Sequence, residues 1–282
     1  LIGTLSQVLE CSNDERSIAV CLNGFMYAVR IAAHSDMSLA RDTFVNSLGK
    51  FTFLGSIKEM RHKNIESIRT LLSIAVIDGE YLNESWGPVL HCISQLARLR
   101  LFASGLESDE SFLADEADRG RAIEAQELAL ANSSYFHQPT RAEINRETEE
   151  GNSRAVVAAL NEVLIDKVFT STVNLSARSI THFIEQLVAV SATEIAGNTR
   201  RTIAGVGAST RAMGDGKIRT DSTTGGDDGP RIFSLQRLVE VADYNMDVRP
   251  RLAWAQVWEI MAEHFTKIGC NKNAMVSIFA ID

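Results

Sequence analysis

The segment of residues 14–34, DERSIAVCLNGFMYAVRIAAH, has the apolar spacing of an amphipathic α-helix. Residues at intervals of three or four lie on one side of such a helix, and those that recur here are Ile18, Leu22, Phe25 and Val29. Asn13 and Asp14 stand at the start of the segment, and side chains of this kind accept hydrogen bonds from the first free amides of a helix. The segment therefore predicts a capped helix with one buried face.

The same spacing continues through the next part of the chain. It predicts helices at 38–54, 59–78 and 86–104, separated by short polar joints. Pro88 lies in the first turn of the last of these, where a missing amide donor costs no helical hydrogen bond. Because the joints are short, consecutive helices are expected to be antiparallel neighbours.

Helical spacing returns in the second half of the chain, around two segments that lack it. The predicted helices there span 153–170, 176–190 (with Ser176 as cap), 233–246, 250–267 and 273–282. We interpret residues 105–150, which are acidic and irregular apart from a short predicted helix at 119–131, as a partly ordered excursion. Residues 197–232 are rich in Gly, Ser, Thr and Asp, so burial cannot offset the entropy of ordering them, and we predict a second, mobile excursion.

This organisation predicts an all-α fold. Uninterrupted antiparallel helices of this length favour a HEAT- or armadillo-like solenoid, in which each pair of helices buries its apolar faces against the adjacent pairs. A globular helical bundle is the alternative, although one bundle core rarely holds so many helices. We expect a single helical domain over residues 1–282, with ordered helices at about 1–104, 153–190 and 233–282.

Composition limits the classes of partner. The chain has 28 basic and 36 acidic residues, a net charge of −8 and no clustered basic surface, which argues against nucleic acid. Four cysteines lie far apart without a CxxC pair, so reduced core thiols in a cytosolic or nuclear protein are expected. We find no signal peptide and no apolar run of membrane-spanning length. Because the sequence begins with Leu1, we expect a piece of a longer protein.

No motif for catalysis, cofactor binding or metal binding is complete. Gly205 and Gly207 lack the third glycine and the preceding strand of a dinucleotide-binding fingerprint. Lys217 follows a glycine as in a phosphate-binding loop, but Ile218 stands where that loop needs Ser or Thr. The six histidines do not have zinc-site spacing relative to cysteines or carboxylates. We therefore predict no catalytic residue, no cofactor and no metal site.

Residues 234–268, SLQRLVEVADYNMDVRPRLAWAQVWEIMAEHFTKI, hold two of the three tryptophans. One helical face is predicted to carry Trp254, Trp258, Met261 and Phe265. The first interpretation of this concentration of aromatic residues is a packed core. The second is a protein-binding surface, either at one edge of this face or at the exposed corner between the two helices at 244–251, because Tyr and Arg are frequent in binding hot spots. The candidate partner-binding residues at that corner are Tyr244, Asn245, Arg249 and Arg251, which would otherwise cap and brace the adjacent helices.

Three blocks of the sequence resemble a known family. They are 21–54 (CLNGFMYAVRIAAHSDMSLARDTFVNSLGKFTFL), 60–96 (MRHKNIESIRTLLSIAVIDGEYLNESWGPVLHCISQL) and 238–270 (LVEVADYNMDVRPRLAWAQVWEIMAEHFTKIGC). Their order and their Tyr-Asn-Met, Trp, Trp and His-Phe pattern resemble the large brefeldin-A-inhibited guanine nucleotide exchange factors for Arf GTPases. The matching part is the first helical region downstream of that family's catalytic domain.

The resemblance implies a regulatory role rather than catalysis. The family's catalytic glutamate lies in a stretch similar to FRLPGEAQK, and this chain has no such stretch, so exchange activity is not carried over to it. What the resemblance implies is restraint of the catalytic domain and recruitment to trans-Golgi membranes. The implied partners are Arf in its GTP form and other domains of the same exchange factor, with the protein cytoplasmic and peripheral on the membrane.

A second hypothesis rests on the aromatic stripes alone. It is a helical structural or dimerisation scaffold that makes no contact with a GTPase.

Overall fold

The computed structural model describes residues 1–103, 141–160, 162–196 and 230–282. Within these ranges the regular structure is helical, with no strand. The α-helices are α1 (Ile2–Cys11), α2 (Glu15–His34), α3 (Ser38–Phe51), α4 (His62–Asp78), α5 (Trp86–Ala103), α6 (Arg141–Ala159), α7 (Glu162–Thr170), α8 (Ala177–Ile195), α9 (Phe233–Met246), α10 (Arg251–Gly269) and α11 (Ala274–Ile281). Short 3₁₀ turns span Ile57–Glu59, Gly79–Tyr81, Asn83–Ser85 and Ser171–Asn174.

The helices form two layers. In one layer α2 packs on α4, α4 on α7 and α7 on α9, while in the other α3 packs on α5, α5 on α8 and α8 on α10. Helix α1 packs against α2, the first helix of the first layer, and α11 packs against α10. Each helix thus contacts mainly the neighbouring pairs, and the all-α helical solenoid that the sequence predicts is confirmed.

Polar contacts at both ends of a helix pair show the direction of the helices within a layer. Lys63 at the start of α4 binds Ser12 just before α2, and Asp78 at the end of α4 binds Arg30 near the end of α2. These two helices are therefore parallel. Helix α3 lies between them in the sequence and runs in the opposite direction. A carbonyl at the end of α3, that of Phe51, accepts a hydrogen bond from Asn64 near the start of α4.

Two of the predicted helix caps are present. The Asp14 carboxylate accepts a hydrogen bond from the Ser17 amide at 2.9 Å, and the Ser176 hydroxyl accepts one from the Ser179 amide at 3.3 Å. Each satisfies an amide that has no partner within its own helix. Pro250 immediately precedes α10, where its ring disrupts no helical hydrogen bond.

Several boundaries differ from the sequence prediction. Helix α6 begins at Arg141, although the sequence predicted that helices resume only at 153, because its first turns are charged and lack an apolar stripe. The predicted single helix at 153–170 is two helices, since α6 ends at Ala159 and α7 begins at Glu162. The predicted helix at 119–131 and the central part of each excursion lie outside the described residues.

One continuous apolar core connects the two layers. In the first pairs, the ring of Phe25 meets Phe44 and Phe51 edge-on, with centroids 6.0 and 6.1 Å apart. Further along, Trp86 packs edge-on against Phe183 of the next pair at 4.8 Å. Edge-to-face pairs of this kind add about 0.5–1.5 kcal/mol to the free energy gained from burying their area.

Contrary to the expectation that no apolar run of membrane-spanning length exists, helix α2 is long and apolar enough to cross a membrane by length and composition alone. Its position in the fold accounts for its apolar composition, because α1, α3 and α4 all pack against it. A core helix in a protein that never enters a membrane has the same composition, so the finding is weak support for a membrane span.

Lys63 provides the first test of the packing. Its ammonium donates to the carbonyls of Leu9, Glu10 and Ser12 at 2.8, 2.7 and 3.2 Å, at the negative end of α1. We expect Lys63→Met to destabilise α1 by about 1–2 kcal/mol, because these carbonyls lose their charged donor. Hydrogen exchange should become faster in α1 and stay unchanged in α8. The matched control is Lys50→Met at an exposed position in α3, and equal exchange in both variants would contradict the assignment.

Candidate functional site

The predicted partner-binding corner lies between α9 and α10, next to the 3₁₀ turn Ser171–Asn174. Helix α9 ends at Met246, and α10 begins at Arg251 after a short connection. The end of α9 also packs on the 3₁₀ turn, which connects α7 to α8. The corner is therefore a junction of two successive helical pairs.

Asn245 and Arg249 are structural parts of this junction. Asn245 is completely buried, contrary to the expectation that it is exposed, and its amide donates to the Thr172 hydroxyl at 2.9 Å. The Arg249 side chain donates to the Asn245 side-chain oxygen at 2.7 Å and to the carbonyls of Thr172 and Leu175 at 2.7 and 2.9 Å. We refer to Thr172, Leu175, Asn245 and Arg249 as the corner brace.

Burial dominates the electrostatics of the corner brace. It lowers the pKa of the Arg249 guanidinium, while the carboxylate of Glu80 acts in the opposite direction. An arginine with a lowered pKa is still charged at neutral pH, because its ordinary pKa is so high. The brace is thus a half-buried cation held by neutral oxygen acceptors.

The accessible surface of the corner consists of other residues. Arg251 is exposed, Tyr244 is half-buried against the core, and the apolar side chains of Met246, Val248 and Leu252 are exposed. Leu252 has 83% of its surface accessible. The sequence prediction missed these three apolar residues because they fall between the buried positions of the helical pattern.

The structure corrects the predicted aromatic face of α10. Its buried positions are Ala253, Val257, Met261, His264 and Ile268, and Trp258 is 50% exposed. Trp254 lies beside Trp258, with ring centroids 6.1 Å apart. Only Met261 of the predicted face is fully buried, because α8 packs against α10 along a line about one residue away from the tryptophans.

His264 lies in the interface between α8 and α10. Its Nε2 atom is 3.0 Å from the Ser191 hydroxyl. Burial lowers its pKa to about 4, and Lys267 on the same helix contributes in the same direction. The imidazole is therefore neutral at physiological pH.

A buried polar cluster that the sequence did not predict joins α5, α8 and the start of α9. The Glu194 carboxylate accepts hydrogen bonds from the Ser94 hydroxyl at 2.5 Å and from the Ser234 amide at 2.8 Å. Arg231 donates to the Ser94 carbonyl at 3.0 Å, and one of its nitrogens lies 3.4 Å from Glu194. We refer to Ser94, Glu194, Arg231 and Ser234 as the Glu194 clasp.

The Glu194 clasp is almost inaccessible to solvent. Glu194 is 1% exposed and Arg231 is 7% exposed, although the sequence placed Arg231 in a mobile excursion. Burial raises the pKa of Glu194, and the charge of Arg231 opposes that rise. No local sequence pattern could have revealed the clasp, because its members lie on three separate elements.

A groove of about 460 Å³ lies between α5, α7 and α9. Its apolar lining includes Leu96, Ile165 and Phe233. Charged pairs cross its rim: Arg100 with Glu162, and Arg237 with Asp166 at 3.2 Å. Arg237 also lies over the Phe169 ring, 4.8 Å from its centroid. The charges at this rim are thus engaged in contacts between helices.

The described residues offer little to nucleophilic or metal chemistry. Burial raises the pKa of the Cys92 thiol to about 12 and that of Cys21 above its ordinary value, which keeps both in the unreactive thiol form. Burial also lowers the pKa of the neighbouring His91 imidazole, and the charge of Arg231 acts in the same direction. Cys11 and Cys270 are exposed, contrary to the expectation of core thiols. Among the parts of the chain that the structure describes, no group of three or more His, Cys, Asp or Glu side chains could hold a metal ion.

Curated relatives align along the whole chain, including the segments that the three resembling blocks left out. Brefeldin A-inhibited guanine nucleotide-exchange protein 1 of Homo sapiens is 33% identical over 293 residues, which cover 100% of this chain. The protein of the same name from Arabidopsis thaliana is 29% identical over 302 residues. This chain is a homologue of one segment of the large Arf guanine nucleotide-exchange factors.

The remaining comparisons define how much of that family the chain represents. The ADP-ribosylation factor guanine nucleotide-exchange factor sec71 of Schizosaccharomyces pombe is 30% identical over 294 residues and again covers the full chain. The chain spans 14% of the length of the human and fission yeast proteins and 16% of the Arabidopsis protein. No protein-family model matches it. The resemblance found in the sequence is confirmed.

The corner brace predicts that two arginines of this exchange-factor segment, Arg249 and Arg251, contribute very differently to the free energy of unfolding. Arg249→Ala leaves Asn245 and two buried carbonyls without their charged donor, so we expect a loss of about 2–4 kcal/mol in the free energy of unfolding. Arg251→Ala removes an exposed side chain and should change that free energy by less than about 0.5 kcal/mol. Urea unfolding of both variants checks this, and equal losses would contradict the bracing role.

His264 predicts a pH dependence of stability. Its pKa is lower in the folded protein (about 4) than in the unfolded chain (6.5), so its contribution is complete above pH 6.5 and is lost as pH falls towards 4. The loss amounts to at most about 3 kcal/mol. Urea unfolding at several pH values should show a smaller acid-induced loss for His264→Gln than for the unmodified chain. The exposed His62→Gln serves as control, and equal pH profiles for all three proteins would contradict the prediction.

Proposed function

We propose that this chain is a non-catalytic regulatory region of an Arf guanine nucleotide-exchange factor. The observation that carries the proposal is the alignment of the entire chain with one segment of such factors, of which it spans 14% of the length. In this role the region restrains nucleotide exchange elsewhere in the long protein. It also recruits that protein to Golgi membranes by binding Arf in its GTP form, so the protein is cytoplasmic and peripheral on the membrane.

The surface of the corner supports this role. Arg251 and the exposed apolar residues beside it provide the combination of cation and apolar area that is common at protein-binding hot spots. The corner brace below them is hydrogen-bonded around the buried Asn245 side chain, so the surface is held in place before a partner binds. In this proposal Tyr244, Arg251 and Leu252 contact the GTPase, whereas Asn245 and Arg249 position the corner.

Binding to membrane-attached Arf tests the proposal. The 282-residue chain should cosediment with liposomes that carry GTP-loaded Arf and remain in the supernatant with liposomes that carry GDP-loaded Arf. Arg251→Glu combined with Leu252→Gln should weaken binding at least tenfold, because it reverses one charge and removes apolar contact area. Equal binding to both nucleotide states, or to neither, contradicts recruitment by activated Arf.

The variants need a control for non-specific loss of apolar surface. Ile31→Gln changes an exposed side chain on α2, far along the solenoid from the corner, and should leave Arf binding unchanged. If the corner variant binds as tightly as the unmodified chain, the Arf contact lies on another surface.

Restraint of catalysis has its own readout, because deletion of residues 1–282 from the long protein should raise its nucleotide-exchange rate.

One observation favours the second hypothesis, a structural or dimerisation scaffold. The last two helices expose Trp258, Ile278 and Ile281, and α11 is apolar on every side although Val276 is its only buried residue. Helices that are apolar all round are usually buried. Light scattering of the same preparation separates the hypotheses, because a stable dimer without Arf binding supports the scaffold and a monomer that binds Arf contradicts it.

A further inference from the structure

An exposed apolar patch lies where α2 and α4 end, far from the corner. Tyr27 and Ile31 on α2 are 55% and 64% exposed, and Ile77 and Tyr81 at the end of α4 are 60% and 41% exposed. Scattered exposed apolar residues are ordinary, but a contiguous group of them often marks a binding surface. With His34, these residues make up what we refer to as the α2–α4 patch.

Contacts between the two helices show that the patch is contiguous. The Arg30 Nε atom is 3.0 Å from the Asp78 carboxylate, which brings their sequence neighbours Ile31 and Ile77 close together. The His34 ring lies against the Tyr81 ring, with centroids 4.3 Å apart. Tyr27, Ile31 and His34 follow one another at helical spacing on the same side of α2. The patch thus runs for about two turns of α2 and continues onto the end of α4.

The patch is held on a rigid support. Arg30 donates to both oxygens of Asp78, whose side chain is only 3% exposed. Arg41 donates to the carbonyl of Tyr81 at 2.9 Å and so fixes the turn that carries the tyrosine. A partner would meet side chains on elements that are already ordered, which lowers the entropic cost of binding.

The charge around the patch is negative. Arg30 is paired with Asp78, and Arg41 is paired with Asp42 at 2.8 Å, so these cations are compensated. Asp36 and Glu84, which flank the patch in the sequence, are both exposed. The negative ends of the α2 and α4 dipoles point towards the same region. An apolar centre with an anionic rim is complementary to a partner that combines apolar and cationic side chains.

We propose that the α2–α4 patch docks a cationic amphipathic helix of a partner protein. Apolar residues of such a helix at i, i+3 or i+4 and i+7 would cover the patch, and flanking Lys or Arg side chains would meet the anionic rim. A second copy of this chain is a poor occupant, because the same anionic rim would meet itself. The proposal goes beyond the Arf contact at the corner and does not depend on it.

A synthetic peptide of about 18 residues, with Leu at the helical spacing given above and Lys elsewhere, is the probe. Fluorescence anisotropy should show that it binds the 282-residue chain, whereas the same peptide with Glu in place of Lys does not. Ile31→Gln combined with Ile77→Gln should weaken binding of the Lys peptide at least tenfold. Asp36→Asn combined with Glu84→Lys should weaken binding and reduce its dependence on salt, and asparagine tolerates the left-handed backbone of position 36 (φ 55°).

Leu252→Gln is the control, because it removes a still more exposed apolar side chain at the distant corner and should leave peptide binding unchanged. Urea midpoints of all variants should agree, since none of the altered side chains is buried. If both patch variants keep the original affinity, or if the control loses as much, the peptide binds elsewhere and the proposal is wrong. It is equally wrong if light scattering shows a dimer that the Ile31 and Ile77 substitutions dissociate.

These outcomes can be separated from those of the proposed function. Loss of peptide binding with intact binding of GTP-loaded Arf is the expected behaviour of the patch variants. The reverse is expected of the corner variant.

Discussion

The buried carboxylate of Glu194 is the point at which three helices of the solenoid are joined. A helix in such a fold buries its apolar face only against adjacent helices, so the stability of the whole array depends on its weakest helix–helix interface. Through the Glu194 clasp, α8 is connected both to Ser94 on α5 and to the first amides of α9. A polar cluster of this kind specifies one arrangement of the helices, because any shift leaves a buried charge without its partners.

The clasp also fixes the position of α9 relative to α8. Its members Glu194 and Arg231 lie on the two sides of residues 197–229, and the Arg231 amide donates to the Glu194 carbonyl at 3.1 Å. The end of α8 and the residues that lead into α9 are therefore held next to each other, although they are far apart in the sequence.

Polar braces recur wherever consecutive pairs meet. Lys63 binds carbonyls at the end of α1, Arg30 binds Asp78 between α2 and α4, and Arg249 binds the turn before α8. Lys63 and Arg249 reach backbone carbonyls at the end of a helix or turn, whereas Arg30 reaches the Asp78 carboxylate at the end of α4. The corner and the α2–α4 patch lie between these braces and carry part of the exposed apolar surface.

Sequence patterns found most of the helices because burial of one helical face imposes a periodic spacing. The stripe of Ile18, Leu22 and Phe25 is buried as predicted. Helix α6 was missed in part because its first turns carry charges instead of a stripe. The tryptophans of α10 were assigned to the core because they are apolar, although the line of contact with α8 runs through Val257, Met261 and His264.

The amino-acid sequence by itself determined the all-α class, the helix caps at Asp14 and Ser176, and membership in a segment of large Arf exchange factors. These properties follow from local spacing and from residue identity. Only the tertiary structure decided that Asn245 and Arg249 brace the corner, that Glu194 meets Arg231, and that the ends of α2 and α4 expose a contiguous patch. Such features depend on contacts between residues far apart in the chain, which a helical pattern does not encode.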